Sequence, residues 1–172
     1  MKIIILGYMA SGKSFIGKQL AKKVNYQFID LDNYIEEKEN KSVKSIFETQ
    51  GELYFRKVER NYLMELLDGK DDVVISLGGG TPCYYNNMEL IKSASNTRSV
   101  YLRASIPTLV TRLKSEKEQR PLISHIETDD LLTEFIGKHL FERSNFYNLS
   151  DITINANNSA EIILKELQDK LF

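Results

Sequence analysis

The stretch Ile3-Ile4-Ile5-Leu6-Gly7-Tyr8-Met9-Ala10-Ser11-Gly12-Lys13-Ser14 decides how this chain folds. Its first four residues are apolar and mostly β-branched, the composition of a strand buried on both faces. The next eight match the pattern Gly, four residues, Gly-Lys-Ser/Thr. Gly7 and Gly12 let the backbone wrap closely, so that amide N–H groups turn toward a bound phosphate. A helix expected to start near Lys13 adds the positive end of its dipole. At average residue frequencies the pattern arises by chance about once per 20,000 positions. Here it also lies after a buried strand and before a helix, as its chemistry requires. Lys13 can reach the β- and γ-phosphates of a nucleotide, and the Ser14 hydroxyl can ligate Mg²⁺. The stretch implies a nucleoside triphosphate site at the end of the first strand.

Further strands are expected at 27–29, 73–77, 99–102 and 152–154 from short apolar runs rich in β-branched residues. Helical spacing covers 13–24, 34–39, 43–49, 52–67, 107–114, 129–146 and 160–171. Ser42 is a candidate N-cap, Gly69 can close the helix that ends near Leu67, and Pro107 suits a first helical turn. Strands alternating with helices imply a mostly parallel sheet covered on both faces. No repeat or linker divides the chain, so residues 1–172 are expected to form one domain. The polar run from Arg112 to Arg120 reads either as a solvated surface loop or as a mobile flap.

Of 172 residues, 42% are hydrophobic and 27% charged, the balance of a soluble globular protein. Lys and Arg number 23 against 24 Asp and Glu, and the formal net charge of -1 argues against a general nucleic-acid partner. Cys83 is the only cysteine, which excludes a disulfide framework and a Cys-based zinc site. His125 and His139 are too few for most His-rich metal sites and read as packing or surface residues, as does Cys83. No apolar run approaches the roughly 20 residues that cross a bilayer. A cytoplasmic protein without membrane contact is the expectation.

Nucleotide binding alone leaves kinase, hydrolase and switch open. Guanine-binding switches usually carry Asn-Lys-x-Asp; Asn40-Lys41-Ser42-Val43 begins that way but lacks the Asp. Asp30-Leu31-Asp32 closes the second strand, where ligands collect in open α/β sheets. Its carboxylates could face Mg²⁺ and an acceptor hydroxyl, or cap the helix that follows. Arg56 and Glu59 share a helix face and read by themselves as a surface ion pair. Gly78-Gly79-Gly80 permits close backbone approach to a ligand, or is a plain loop. Arg120 and Arg143, each taken singly, read as solvated charges.

Taken in order, these elements resemble the shikimate kinase family. The resemblance rests on Gly7 to Ser14, Asp30-Leu31-Asp32, Phe55-Arg56-Lys57-Val58-Glu59, Ser76-Leu77-Gly78-Gly79-Gly80-Thr81, Arg120-Pro121-Leu122, and Arg143 to Tyr147. It implies a three-layer α/β/α fold with a central five-stranded parallel sheet, like that of the nucleoside-monophosphate kinases. A lid at about 112–124 and a substrate-binding helical region at about 33–61 come with it. In that family ATP phosphorylates the 3-hydroxyl of shikimate on the route to chorismate and the aromatic amino acids.

The resemblance makes Lys13, Asp32 and Arg120 the catalytic set. Gly7, Ala10, Ser11 and Gly12 would hold the nucleotide, with Lys13, Ser14, Phe15 and Arg120. Ser14 and Asp30 would hold Mg²⁺, Asp30 through water. Asp32 would bond the ring hydroxyls, Arg56 and Arg143 would grip the carboxylate, and the backbone at Gly78, Gly79 and Gly80 would meet the ring. Arg112 is the candidate for stacking on adenine, while the late adenine-side arginine has no counterpart near residues 155–158. The family's Pro two residues after the last arginine is Asn145 here, and Tyr147 keeps its place. A monomer is the family expectation. The alternatives are another P-loop small-molecule kinase, for gluconate or a nucleoside monophosphate, and a non-catalytic nucleotide-binding relative.

Overall fold

Ile3, Ile4, Ile5 and Leu6 are wholly buried, and the sheet explains why. In this computed structural model, which describes residues 1–70, 72–116 and 123–172, they belong to strand β1, Lys2–Leu6. On one side β1 pairs with β3, Val73–Ser76, and on the other with β4, Thr97–Arg103. The outer strands are β2, Gln27–Asp30, beside β3, and β5, Ile152–Asn155, beside β4. Every pairing is parallel and the order is β2-β3-β1-β4-β5. A central parallel strand covered above and below has no wet face, so its sequence shows no alternation.

Helix α1, Lys13–Val24, lies against β2 and β3 and touches α7, Ala160–Leu171, which packs on β5. Helices α2, Leu31–Glu39, and α3, Val43–Asp68, pack on each other. Helix α4, Asn87–Ser93, lies against β4, and α5, Ile106–Lys114, packs on α6, Asp129–Tyr147. This is the expected α/β/α layering around five parallel strands.

Several boundaries differ from the sequence reading, each for a local reason. Helix α2 starts at Leu31 and not at 34, because the Asp30 side chain accepts the Asp32 N–H at 3.2 Å and caps it. Asp32 is therefore in the first helical turn. The helices expected at 43–49 and 52–67 form one run bent at Gly51, where φ 82° and ψ 170° interrupt the helical backbone. Ser42 caps that run by accepting the Ser45 N–H, and Gly69 closes it. Pro107 lies in the first turn of α5, capped by Ser105. Helix α4 and a 3₁₀ turn at Thr81–Cys83 have no counterpart in the expectation. Their turn-like sequence is held by a buried Asn87, whose amide donates to the Thr81 carbonyl at 2.8 Å. Residues 117–122 of the expected lid, Arg120 among them, lie outside the described residues; Arg112 belongs to the last turn of α5.

Candidate active site

The carboxyl ends of β1, β2 and β3 are adjacent in the sheet, and each delivers one part of the site. From β1 comes the phosphate loop, turned by positive φ at Gly7, Ala10 and Gly12. The Lys13 ammonium folds back to donate to the Tyr8 carbonyl at 3.0 Å. Ser11 turns its amide to that carbonyl as well. Its buried hydroxyl has no hydrogen-bond partner among the described residues. Ala10, Ser11, Gly12, Lys13, Ser14 and the exposed ring of Phe15 line a cavity of about 620 Å³.

From β2 comes Asp30. Its Oδ2 accepts the Ser14 hydroxyl at 2.6 Å, while Oδ1 caps α2. The cap reading of this carboxylate thus holds with one oxygen, while the other is held by Ser14 beside the phosphate loop. Among the described residues no three His, Cys, Asp or Glu side chains converge as a metal cluster. A hydroxyl beside a single carboxylate, open to phosphate and water oxygens, suits Mg²⁺, which keeps several waters.

Asp32 lines the same cavity. Burial, then the neighbouring Asp30 and Glu59, push its carboxyl up to about 6, against the opposing pull of Lys13 and Arg56. The third strand supplies the triple glycine beside it. A Cβ on Gly78 would stand 2.9 Å from Asp32 Oδ1, and one on Gly79 would stand 3.7 Å from an Arg143 nitrogen. The Gly79 carbonyl accepts the Tyr147 hydroxyl at 2.6 Å, so α6 fixes the peptide that faces the cavity. Burial raises the Tyr147 phenol well above its ordinary value.

Arg56 and Glu59 are no surface pair. Glu59 is 1% exposed, takes Arg56 Nη1 at 2.8 Å on one oxygen and accepts the Thr81 hydroxyl at 2.6 Å on the other. Both oxygens of this buried carboxylate are thus satisfied, and the guanidinium is aimed by it. Arg143 lies 5.8 Å from the centroid of the Tyr8 ring. The Tyr8 hydroxyl meets His139 Nδ1 at 3.1 Å, which makes His139 a packing partner of the loop. Cys83 is half-buried and its thiol is pushed up to about 11 by burial, consistent with an inert role.

Arg112, the candidate for adenine, donates to the carbonyls of Ala10, Ser11 and Ala156 at 3.2, 3.3 and 2.8 Å. It also lines the cavity, so it joins the loop to the segment after β5 at the nucleotide end. Thr81, Asn87 and Tyr84 were not legible as site residues, since each acts through a partner distant in sequence. Arg60, bonded to Asn87 Oδ1 at 3.0 Å, extends the network behind Glu59.

The fold and the site together define a class, the P-loop kinases that phosphorylate a small hydroxylated acid. Comparison with known proteins narrows it. A family model for shikimate kinase matches residues 9–172. The shikimate kinase of Flavobacterium psychrophilum is 44% identical over 172 residues, covering 99% of this chain and 99% of its own length. The solved shikimate kinase of Bacteroides thetaiotaomicron is 39% identical with a TM-score of 0.92, over 99% of this chain and 98% of that one. That of Acinetobacter baumannii, in complex with shikimate, is 31% identical with a TM-score of 0.85, over 99% of this chain and 92% of that one. This chain belongs to the shikimate kinase family.

Proposed function

We propose that the chain transfers the γ-phosphoryl group of ATP to the 3-hydroxyl of shikimate, giving shikimate 3-phosphate and ADP on the route to chorismate. One observation carries the assignment of the acceptor site. A partly desolvated carboxylate, Asp32, lines the phosphate-loop cavity and feels the charges of both Lys13 and Arg56, the arginine held by a buried glutamate. Carboxylates suit hydroxyl donors and guanidinium forks suit carboxylates.

In this reading Arg56 and Arg143 hold the substrate carboxylate, and the Gly78-Gly79-Gly80 backbone lies along the ring. Asp32 orients the acceptor hydroxyl and takes its proton as the new P–O bond forms. Lys13 leaves the Tyr8 carbonyl for the β- and γ-phosphate oxygens, and Arg120 approaches them from the lid. Ser14 and Asp30 would hold Mg²⁺, which supplies charge neutralisation at the β- and γ-phosphates. Positioning and charge account for most of the catalysis, since a loose transition state asks little early deprotonation of the base. Lid closure excludes water and limits wasteful hydrolysis. A cytoplasmic monomer with neither nucleic acid nor membrane as partner completes the reading. No helix among the described residues is long and apolar enough to cross a membrane.

The test is ADP release from ATP and Mg²⁺ with shikimate, gluconate or a nucleoside monophosphate as acceptor. Turnover with shikimate alone is the expected result. Turnover with another acceptor discards the acceptor site, and turnover with none, in protein that binds ATP, discards catalysis.

A further inference from the structure

Arg56 is confined more tightly than its pairing with Glu59 requires. The Tyr84 ring lies against the guanidinium, with its centroid 3.9 Å from Cζ. Gly80 comes so near that a Cβ there would stand 2.8 Å from Nη2 and 3.1 Å from Nη1. Any side chain at 80 would displace the guanidinium. The Tyr84 hydroxyl is itself anchored, donating to Glu52 Oε1 at 2.6 Å, and the same oxygen is 3.5 Å from Arg56 Nε. Tyr84 therefore touches Arg56 through its ring and, through Glu52, at the Nε edge. Phe55 and Phe47 stand further off, at 5.1 and 5.9 Å from Cζ.

We propose that Tyr84 is a positioning residue for carboxylate recognition: its ring sets the plane of the Arg56 guanidinium that receives the substrate. The inference rests on the assignment of Arg56 to the shikimate carboxylate. The physical reason is geometric. Shikimate's carboxylate is conjugated with the ring double bond and so lies flat with that part of the ring. A planar fork meets a planar carboxylate through two parallel hydrogen bonds only when the two planes agree. A free guanidinium would sample many planes, and restricting it beforehand removes an ordering cost from binding. Stacking on an aromatic face restricts the plane while leaving the in-plane N–H groups available. Glu59 alone, holding one edge, leaves rotation about that edge open.

The experiment measures kcat and KM for both substrates in Tyr84→Leu, Tyr84→Phe, Arg56→Lys and the double variant Arg56→Lys/Tyr84→Leu, all in the full chain. Tyr84→Leu should raise the shikimate KM about 5- to 30-fold. Its kcat and ATP KM should stay within about twofold, a split that general loosening of the fold would not give. Tyr84→Phe keeps the ring and should hold the shikimate KM within about threefold of the parent. Tyr84→Leu should add little once lysine replaces Arg56, because a lysine has no plane to set. Tyr84→Met takes the place of Tyr84→Leu if that variant does not fold. An unchanged shikimate KM in Tyr84→Leu beside a raised one in Arg56→Lys overturns the role of Tyr84 and leaves the site intact. A loss as large in Tyr84→Phe as in Tyr84→Leu, or an undiminished effect in the double variant, also overturns it. An unchanged shikimate KM in Arg56→Lys overturns the carboxylate assignment beneath it.

Discussion

Asp32 is held in a conflict with the role proposed for it. Burial and two neighbouring carboxylates favour its protonated form, although accepting a hydroxyl proton requires the ionised one. The acid limb of kcat/KM should therefore fall about tenfold per pH unit below about 6, higher than an ordinary carboxylate would give. Asp32→Asn should abolish most of the activity and flatten that limb in what remains; a limb unchanged in the variant would assign it to another group. The same shift sets a stability trade. The fold raises this carboxyl above its unfolded value, so the folded state binds the proton more tightly and loses stability as pH rises from about 4 through 6. Above that window Asp32→Asn should be more stable than the parent by roughly 1 to 3 kcal/mol, seen in calorimetry at pH 7 to 8 as unfolding at a higher temperature. At this scale the sequence was legible where chemistry is local. Gly7 to Ser14 and Asp30 to Asp32 declare themselves by spacing. Tyr84 does not, because it lies in a loop while its partners Glu52 and Arg56 lie on α3, and no periodicity joins them.

At the scale of elements, α3 bends at Gly51, five residues before Arg56. Gly51 has φ 82° and ψ 170°, a region almost closed to residues with a side chain. A Cβ there would meet nothing within 4 Å, so a substitution is penalised by the backbone alone. Gly51→Ala should cost about 1 to 3 kcal/mol in denaturant unfolding and raise the shikimate KM more than the ATP KM. Equal effects on both would mean that the bend does not aim the segment carrying Arg56. The sequence placed a helix on each side of Gly51, since a glycine between two apolar patterns marks a break. It did not yield α4, where Asn86, Asn87 and Ser93 read as turn residues. There a buried hydrogen bond from Asn87 to the Thr81 carbonyl overrides propensity. The early start of α2 was also hidden, because the capping group Asp30 had a second reading as a ligand.

For the whole molecule, the sheet order brings three strand ends to one edge, where the phosphate loop, Asp30 and the triple glycine meet, and the proposed metal site lies among them. Chelating divalent cations should therefore stop turnover, with recovery on adding Mg²⁺; turnover persisting in excess chelator would remove Ser14 and Asp30 from a metal role. The alternation of strands and helices made the class of fold legible, and the parallel order followed from continuous apolar runs. The part that governs the lid was least so, since the polar run after Leu113 carries no periodicity to read. The same sheet order governs how the chain is made. Lys2 pairs with Val73 on one side and Thr97 on the other, so the central strand emerges first from the ribosome and its neighbours much later. At about 5 to 20 residues per second, its flanks wait unpaired for roughly 5 to 20 seconds of synthesis. During that interval Ile3-Ile4-Ile5-Leu6 is an apolar edge with no mate, an aggregation-exposed segment of the nascent chain. The phosphate loop that begins at that strand's end thus gains its supporting sheet only once β3 and β4 have been made.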